Sequence, residues 1–173
     1  MDSTRAIATD HSPTSAAGWR AALPGLTLLA LRVICALILF ERATARWFGF
    51  PINPGRPFTG APEMFSRPWF ATVLELVGGF LIMVGLFTRP AAFVLSGLMA
   101  FAYFIAHAPE SFFPVVNRGE PAVLLCFIFL YMSAYGAGPY SADAAIGRRR
   151  AIRLAQGWTT DAERVSRAGQ VGQ

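Results

Sequence analysis

Four apolar runs, each about as long as a membrane-crossing helix needs, divide the chain: Leu23–Phe40, Trp69–Phe87, Pro90–Ala108 and Pro121–Gly138. At about 1.5 Å of rise per residue each run crosses most of a hydrocarbon layer about 30 Å thick, so the pattern predicts four transmembrane helices with both chain ends on one side. The connections differ in kind. Residues 49–68 carry five prolines and three glycines, which excludes a helix there and predicts a long loop. Only Thr88 and Arg89 separate the second run from Pro90, so the second and third helices form a tight antiparallel hairpin, with Pro90 in the first turn of the new helix. A short loop, Pro109 to Gly119, joins the third and fourth runs. Beyond the fourth, Ser141 reads as an N-cap and Asp143 as a first-turn acid. Ile146, Ile152 and Leu154 set against four arginines then predict a short amphipathic helix lying on an anionic membrane surface. The predicted fold is an all-α membrane protein: a four-transmembrane-helix bundle with a short amphipathic C-terminal helix. Residues 1–20 form a polar N-terminal tail, 21–140 the membrane domain, and 141–173 a basic tail that is loose beyond Gln156. There is no internal repeat.

Small residues recur where helices could approach closely: Gly78, Gly79 and Gly85 on the second run, and Ser96, Ala100, Ala102 and Ala106 on the third. Composition agrees with the span pattern, with 54% hydrophobic and 14% charged residues and a mean hydropathy of +0.46. The net charge of +5 comes from 15 arginines and no lysine. These flank the apolar runs instead of forming an aromatic-interleaved stripe, which argues against nucleic acid as a partner and leaves the lipid bilayer as the expected one. Arg5, Arg20, Arg89, Arg148, Arg149, Arg150, Arg153, Arg164 and Arg167 lie on the side of the termini, against Arg42, Arg46, Arg56, Arg67 and Arg118 opposite. That bias predicts cytoplasmic termini. The N-terminus carries acids and Pro13 where a signal peptide has a basic start and an apolar core. Cys35 and Cys126 lie inside apolar runs with no CxxC or metal-ligand spacing and read as small buried hydrophobes.

Polar side chains inside the apolar runs are the places to look for chemistry, because a charge in mid-membrane costs about 2.5–3.5 kcal/mol even on the lenient insertion scale. Glu75 and Arg32 are the two such groups. Counting from the predicted inner ends of their helices puts both near mid-depth and predicts an Arg32–Glu75 ion pair. Such a pair either fixes helix register or leaves Glu75 poised to exchange a proton. Glu41, Arg42 and Arg46 leave the first span, His107 ends the third, and Asn117 and Glu120 open the fourth, all at one level. Together with Glu75 they predict a polar mouth at the outer leaflet, an apolar pocket with a few convergent ionisable groups. Glu75 and His107 are the candidate catalytic residues, and Arg32, Arg42, Arg46, Asn117 and Glu120 the candidate ligand-binding ones. Glu75, His107 and Glu120 lack HxxxH or ExxH spacing, so no metal site is predicted. A single membrane-embedded histidine excludes bis-histidine haem within one chain. The predicted inner half of the spans is nearly free of polar side chains, which argues against ion conduction.

An arginine in span one, an aromatic-glycine exit, Glu-x-x-Gly-Gly followed by Gly-Leu-Phe-Thr-Arg-Pro, a histidine ending span three, Asn-x-Gly-Glu opening span four and Gly-Pro-Tyr-Ser-x-Asp after it occur here in that order. This order resembles the DoxX family of small four-helix membrane proteins, over about residues 26–143. Where many relatives carry His-Gly and then a lysine, this chain has Arg42, Ala43 and Arg46, which puts any imidazole-dependent role at that place in doubt. The resemblance implies a bacterial inner-membrane protein linked to quinol oxidase or thiosulfate:quinone oxidoreductase assemblies, and it carries over no agreed catalytic set. On this reading the chain is a small membrane subunit or anchor of a quinone- or thiol-linked redox assembly. Quinone is the cofactor that would suit the mouth, with His107 or a carboxylate bonding a quinone oxygen. A soluble oxidoreductase or a second copy of the chain is the expected partner. The alternatives are a binder or transporter of a small lipophilic molecule, and a non-enzymatic scaffold whose basic tail recruits a soluble protein.

Overall fold

The computed structural model describes residues 14–52 and 58–171, with side chains described for 18–52 and 58–156. The described residues are helical with no strand: α1 (Thr14–Phe48), α2 (Arg67–Val84), α3 (Thr88–Ala102), the short α4 (Pro114–Asn117), α5 (Glu120–Tyr135) and α6 (Ala142–Val171). A π-helical turn, Tyr103–His107, extends α3 without a break. Three helices are long and apolar enough to cross a membrane: α1, α2, and α3 with its π-turn. At 16 residues, or about 24 Å, α5 is shorter, but it packs against α3 and supplies Leu125, Phe129 and Met132 to the common core. The helices approach most closely in the order α1–α2–α3–α5. Cys35 and Leu39 of α1, Ile82 of α2, and Leu95 and Met99 of α3 complete the core.

Outside that core the long helices expose large apolar side chains. Ile34, Phe70, Phe80, Phe93 and Phe127 are each at least half exposed. So much exposed hydrocarbon on several helices is what a bilayer-facing surface requires.

The local signals in the sequence account for the helix ends. Ser66 caps α2 by accepting a hydrogen bond from the Trp69 N–H, with a proline in the first turn. Gly85 ends α2 in the left-handed region at φ 73°, and the N–H groups of Gly85 and Leu86 both donate to the Leu81 carbonyl. Ser141 caps α6 through the Ala144 N–H. The glycine pair splits its duties: a methyl on Gly78 would lie 2.8 Å from Leu95 Cδ2 of α3, whereas one on Gly79 would lie 3.4 Å from Leu39 Cβ of α1. Adjacent helix residues thus admit neighbours on two sides, as small residues do in membrane bundles. Ser96 Oγ adds a hydrogen bond to the Cys126 carbonyl, tying α3 to α5. Both cysteines are free, Cys35 buried and Cys126 partly so.

Three boundaries depart from the sequence reading. First, α1 begins at Thr14, inside the segment read as a polar tail, and runs on past Phe40 to Phe48; residues 1–13 lie outside the described residues. No glycine or proline interrupts the stretch from Leu26 to Phe48, and the turn waits for Gly49 at φ 69°. Arg42 and Arg46 are therefore helix positions. Second, α6 is 30 residues long; its span contains no proline and continues through alanines, arginines and glutamines. Third, the Pro109–Gly119 loop contains α4. Residues 53–57 of the long loop lie outside the described residues.

Candidate functional site

Packing sets the depth of every polar group. Gly79 lies against Leu39, Glu75 meets Arg42, and Ile82 meets Arg32. Ten residues of α1, about 15 Å, therefore separate Arg32 from the level of Glu75. The expected Arg32–Glu75 pair does not form. It rested on aligning Leu23 with Phe87, but α1 overhangs the α2–α3 turn, so Arg32 sits near the hairpin end of the bundle.

There Arg32, 1% exposed, donates to four carbonyls. Nε bonds Ile82 O at 2.9 Å, Nη2 bonds Met83 O at 2.9 Å, and Nη1 bonds Ala137 O at 2.8 Å and Tyr140 O at 3.0 Å. Ile82 and Met83 lie in the last turn of α2, and Ala137 and Tyr140 lie just beyond the end of α5. Helix C-termini carry partial negative charge, so these carbonyls solvate the guanidinium without a carboxylate in contact. Asp143 completes this end. Its Oδ1 and Oδ2 accept the N–H groups of Phe87 (2.9 Å) and Thr88 (3.0 Å), and its own N–H donates to Gly85 O at 2.9 Å. Those N–H groups are the unsatisfied donors at the start of α3. The Gly-Pro-Tyr-Ser-x-Asp segment thus clamps the hairpin, a role that its reading as a first-turn acid of α6 did not include. A cavity of about 510 Å³ beside it is lined by Thr88, Arg89, Gly136 and Asp143.

The chemistry-bearing cluster lies toward the other end, where residues 49–66 and 108–119 connect the helices. Glu75, 1% exposed, has its Oε2 at 2.7 Å from Arg46 Nη1 and its Oε1 at 3.4 Å from Arg42 Nε. The arginines are about a quarter and a third exposed. Arg42 and Arg46 are four residues apart, one helical turn, so they stand on the same face of α1 and bracket one carboxylate. Two guanidinium groups thus hold a single buried carboxylate.

The single mouth expected from the sequence divides in two. His107, Asn117 and Tyr103 form a separate network where the π-turn meets the α3–α5 loop. Asn117 is 2% exposed. Its Nδ2 donates to Ser111 O at 2.6 Å, and its Oδ1 accepts the Gly119 N–H at 2.8 Å. The Tyr103 hydroxyl donates to Phe112 O at 2.5 Å. His107 Nδ1 lies 3.0 Å from Asn117 O. A carbonyl only accepts, so Nδ1 carries the proton of that bond. Asn117 thereby holds the loop. Glu120 is exposed at the first turn of α5. Among the described residues, no hydrogen bond or ion pair joins Glu75 or Arg42 to this network. Among the described residues there is also no group of three His, Cys, Asp or Glu side chains close enough to hold a metal ion.

The family model DoxX matches residues 27–108, from within α1 to the end of the α3 π-turn. An uncharacterized protein of Haemophilus influenzae is 40% identical over 121 residues, covering 67% of this chain and 87% of the relative. A second uncharacterized protein of the same organism is 30% identical over 134 residues, covering 70% of this chain and 84% of the relative. No solved structure matches the chain.

Proposed function

The chain belongs to the DoxX family, and we propose that it serves as a small membrane subunit of a quinone-linked redox assembly, in which Arg42, Glu75 and Arg46 meet the polar end of the carrier. The observation that carries this reading is the bracketed carboxylate itself: Glu75 is 1% exposed, with cations at 2.7 and 3.4 Å. A quinone gains negative charge on reduction and a quinol loses protons on oxidation. Guanidinium groups beside the carrier favour its anionic forms, and a carboxylate within hydrogen-bond reach can take or return the proton. In this role the chain binds the carrier and handles protons, while the electrons come from a partner of the oxidoreductase class. The arginine bias supports an orientation with both termini in the cytoplasm of a bacterial inner membrane, in which the cluster handles the carrier toward the outer leaflet.

The test is binding of a short-chain quinone to the purified full chain in nanodiscs. Glu75→Gln and Arg46→Gln should each weaken binding by about tenfold, the loss of roughly one charge-assisted hydrogen bond. Equal affinity in wild type and both variants would remove the proposed role of the cluster. An alkaline-phosphatase fusion active at the C-terminus would overturn the orientation.

A scaffold role has its own support in the exposed Arg148, Arg149, Arg150 and Arg153 of α6. Truncation after Ile146 keeps the Asp143 clamp and removes those arginines. Loss of a co-purifying soluble protein on that truncation, with quinone binding intact, would favour recruitment over carrier chemistry.

A further inference from the structure

The 510 Å³ cavity at the hairpin end of the bundle holds polar groups that the Asp143 clamp does not use. Its walls come from the first residues of α3, the segment after α5 and the start of α6. These elements meet because Asp143 ties α6 to the α2–α3 turn. The positive end of the α3 helix therefore borders the cavity.

Arg89, in the first turn of α3, lines the cavity and is exposed. Among the described residues its side chain has neither a hydrogen-bond acceptor nor a carboxylate partner. Its guanidinium lies against Gly136, where a Cβ would sit 3.2 Å from Arg89 Nε. Gly136, at φ 93°, both turns the chain after α5 and admits the guanidinium to the backbone. Thr88 supplies a second uncommitted group. It also lines the cavity and is 0% exposed, and among the described residues its hydroxyl is the one buried side-chain polar atom without a hydrogen-bond partner. A buried hydroxyl left unpaired is destabilising, so its retention here calls for a partner from outside the chain.

Asp143 is the only acid in the lining, and its two oxygens are already taken by the Phe87 and Thr88 N–H groups. What the cavity lacks is an anion with several oxygens, able to take the Arg89 fork and the Thr88 hydroxyl together. A phosphate group has that form. The setting identifies the molecule that carries it. Phe87 and Tyr135 also line the cavity and are 65% and 54% exposed, so it opens where aromatic side chains mark the change from hydrocarbon to headgroups. Basic pockets between helices at that depth suit the headgroups of anionic lipids. From these observations we infer that the cavity is a headgroup site for one anionic phospholipid. Arg89 and the Thr88 hydroxyl donate to its phosphate, and Phe87 and Tyr135 pack against its glycerol and first methylene groups. The cavity shares no lining residue with the Glu75 cluster, so the site stands whether or not the quinone role of that cluster holds.

The test titrates the full chain, in micelles of an uncharged detergent, with phosphatidylglycerol, phosphatidylcholine or inorganic phosphate, and counts bound lipid by native mass spectrometry. One phosphatidylglycerol should bind about tenfold more tightly than phosphatidylcholine, whose choline cation opposes Arg89. Arg89→Gln should abolish that preference without changing lipid-free unfolding, because Arg89 is exposed and its side chain holds no partner among the described residues. Thr88→Val removes the unpaired hydroxyl at nearly constant shape. It should weaken phosphatidylglycerol binding several-fold while lipid-free stability stays the same or rises, a combination that a purely structural threonine would not give. Arg149→Gln combined with Arg150→Gln and Arg153→Gln neutralises arginines of α6 that lie outside the lining, and should leave the preference in place. Equal binding of the two lipids, a preference that survives Arg89→Gln, or one that is lost with the three α6 arginines would overturn the site. Inorganic phosphate competing as strongly as phosphatidylglycerol would overturn its assignment to a lipid headgroup.

Discussion

Replacing Arg32 by lysine keeps a positive charge at the hairpin end and removes the fork that reaches four carbonyls. An ammonium carries three donors on one atom, so it cannot span Ile82 and Met83 on one side and Ala137 and Tyr140 on the other. About half of the four acceptors would lose their partner. A hydrogen bond to a charged group contributes about 1.5–3 kcal/mol, so Arg32→Lys should cost about 3 kcal/mol or more. That is a large share of a typical domain's stability of 5–15 kcal/mol. Glu75→Gln acts at the other end of the α1–α2 contact, about 15 Å along α1 from Arg32. Its effect should therefore add to that of Arg32→Lys within about 0.5 kcal/mol. The assay is reversible unfolding of the full chain in mixed micelles, with both single variants and the double variant in one cycle. A coupling energy above about 1 kcal/mol would show that the two groups interact as the simple span alignment predicts, and would refute the register derived from the Gly79–Leu39 contact.

Other substitutions test the remaining contacts. Arg46→Gln should cost about 2–3 kcal/mol and Arg42→Gln about 1, because the first removes a hydrogen-bonded cation from a buried carboxylate and the second a longer contact at 3.4 Å. Arg46 makes a further interaction, so the Arg46–Glu75 contribution is read from a double-mutant cycle, and the reverse order of the two costs would contradict the geometry. Asp143→Ala should lower stability by about 1 kcal/mol, a typical cap. It should also speed trypsin cleavage at Arg148–Arg150 as α6 loses its tie to the hairpin; unchanged cleavage would dissociate the clamp from α6. Gly85→Ala combines a left-handed φ of 73° with a methyl placed 2.7 Å from Arg32 Cζ. It should cost more than the roughly 1–2 kcal/mol of the backbone term alone, measurable in the same unfolding assay. Asn117→Ala leaves the Gly119 N–H and the Ser111 carbonyl without the partners they have now, at about 1–3 kcal/mol per buried group.

What the sequence revealed divides along a physical line. Runs of apolar residues, the Thr88–Pro90 turn and the Ser141 cap act locally, and each is legible from its own neighbours. The partner of Arg32 is not, because it consists of backbone carbonyls, which every residue possesses and no motif announces. The axial register of α1 on α2 is equally silent. It depends on the overhang of a 35-residue helix, whereas hydropathy marks only the 18 residues from Leu23 to Phe40. Asp143 was visible as a first-turn acid, but its carboxylate serves the start of α3, some 55 residues away in sequence. The unsatisfied donors of a tight helix–helix turn were the available signal for that contact. The α3 π-turn had no signal in Tyr103–His107 itself, and it carries His107 into a network apart from Glu75.

Charge placement at the two ends of the bundle assigns different duties to chemically similar residues. Arg32 is fully buried, and its four carbonyl acceptors come from helices that must be folded before they can bind it. Any change in its charge or position is therefore a change in the fold, which makes it unsuited to a cycle of binding and release. Arg42 and Arg46 remain partly exposed, and long arginine stems can swing toward an interface without dragging the backbone. A ligand anion that exchanges with Glu75 for their guanidinium groups breaks the contacts to Glu75 on one helix face. Reversible chemistry is thus cheaper at the Glu75 end than at the Arg32 end. A conservative charge-preserving change separates the two: Arg46→Lys should keep most of the stability while shifting quinone affinity, whereas Arg32→Lys should lower stability before any ligand is added. If Arg46→Lys destabilised the fold as much as Arg32→Lys, the Glu75 cluster would be a structural lock of the same kind, and the proposed carrier chemistry would lose its site.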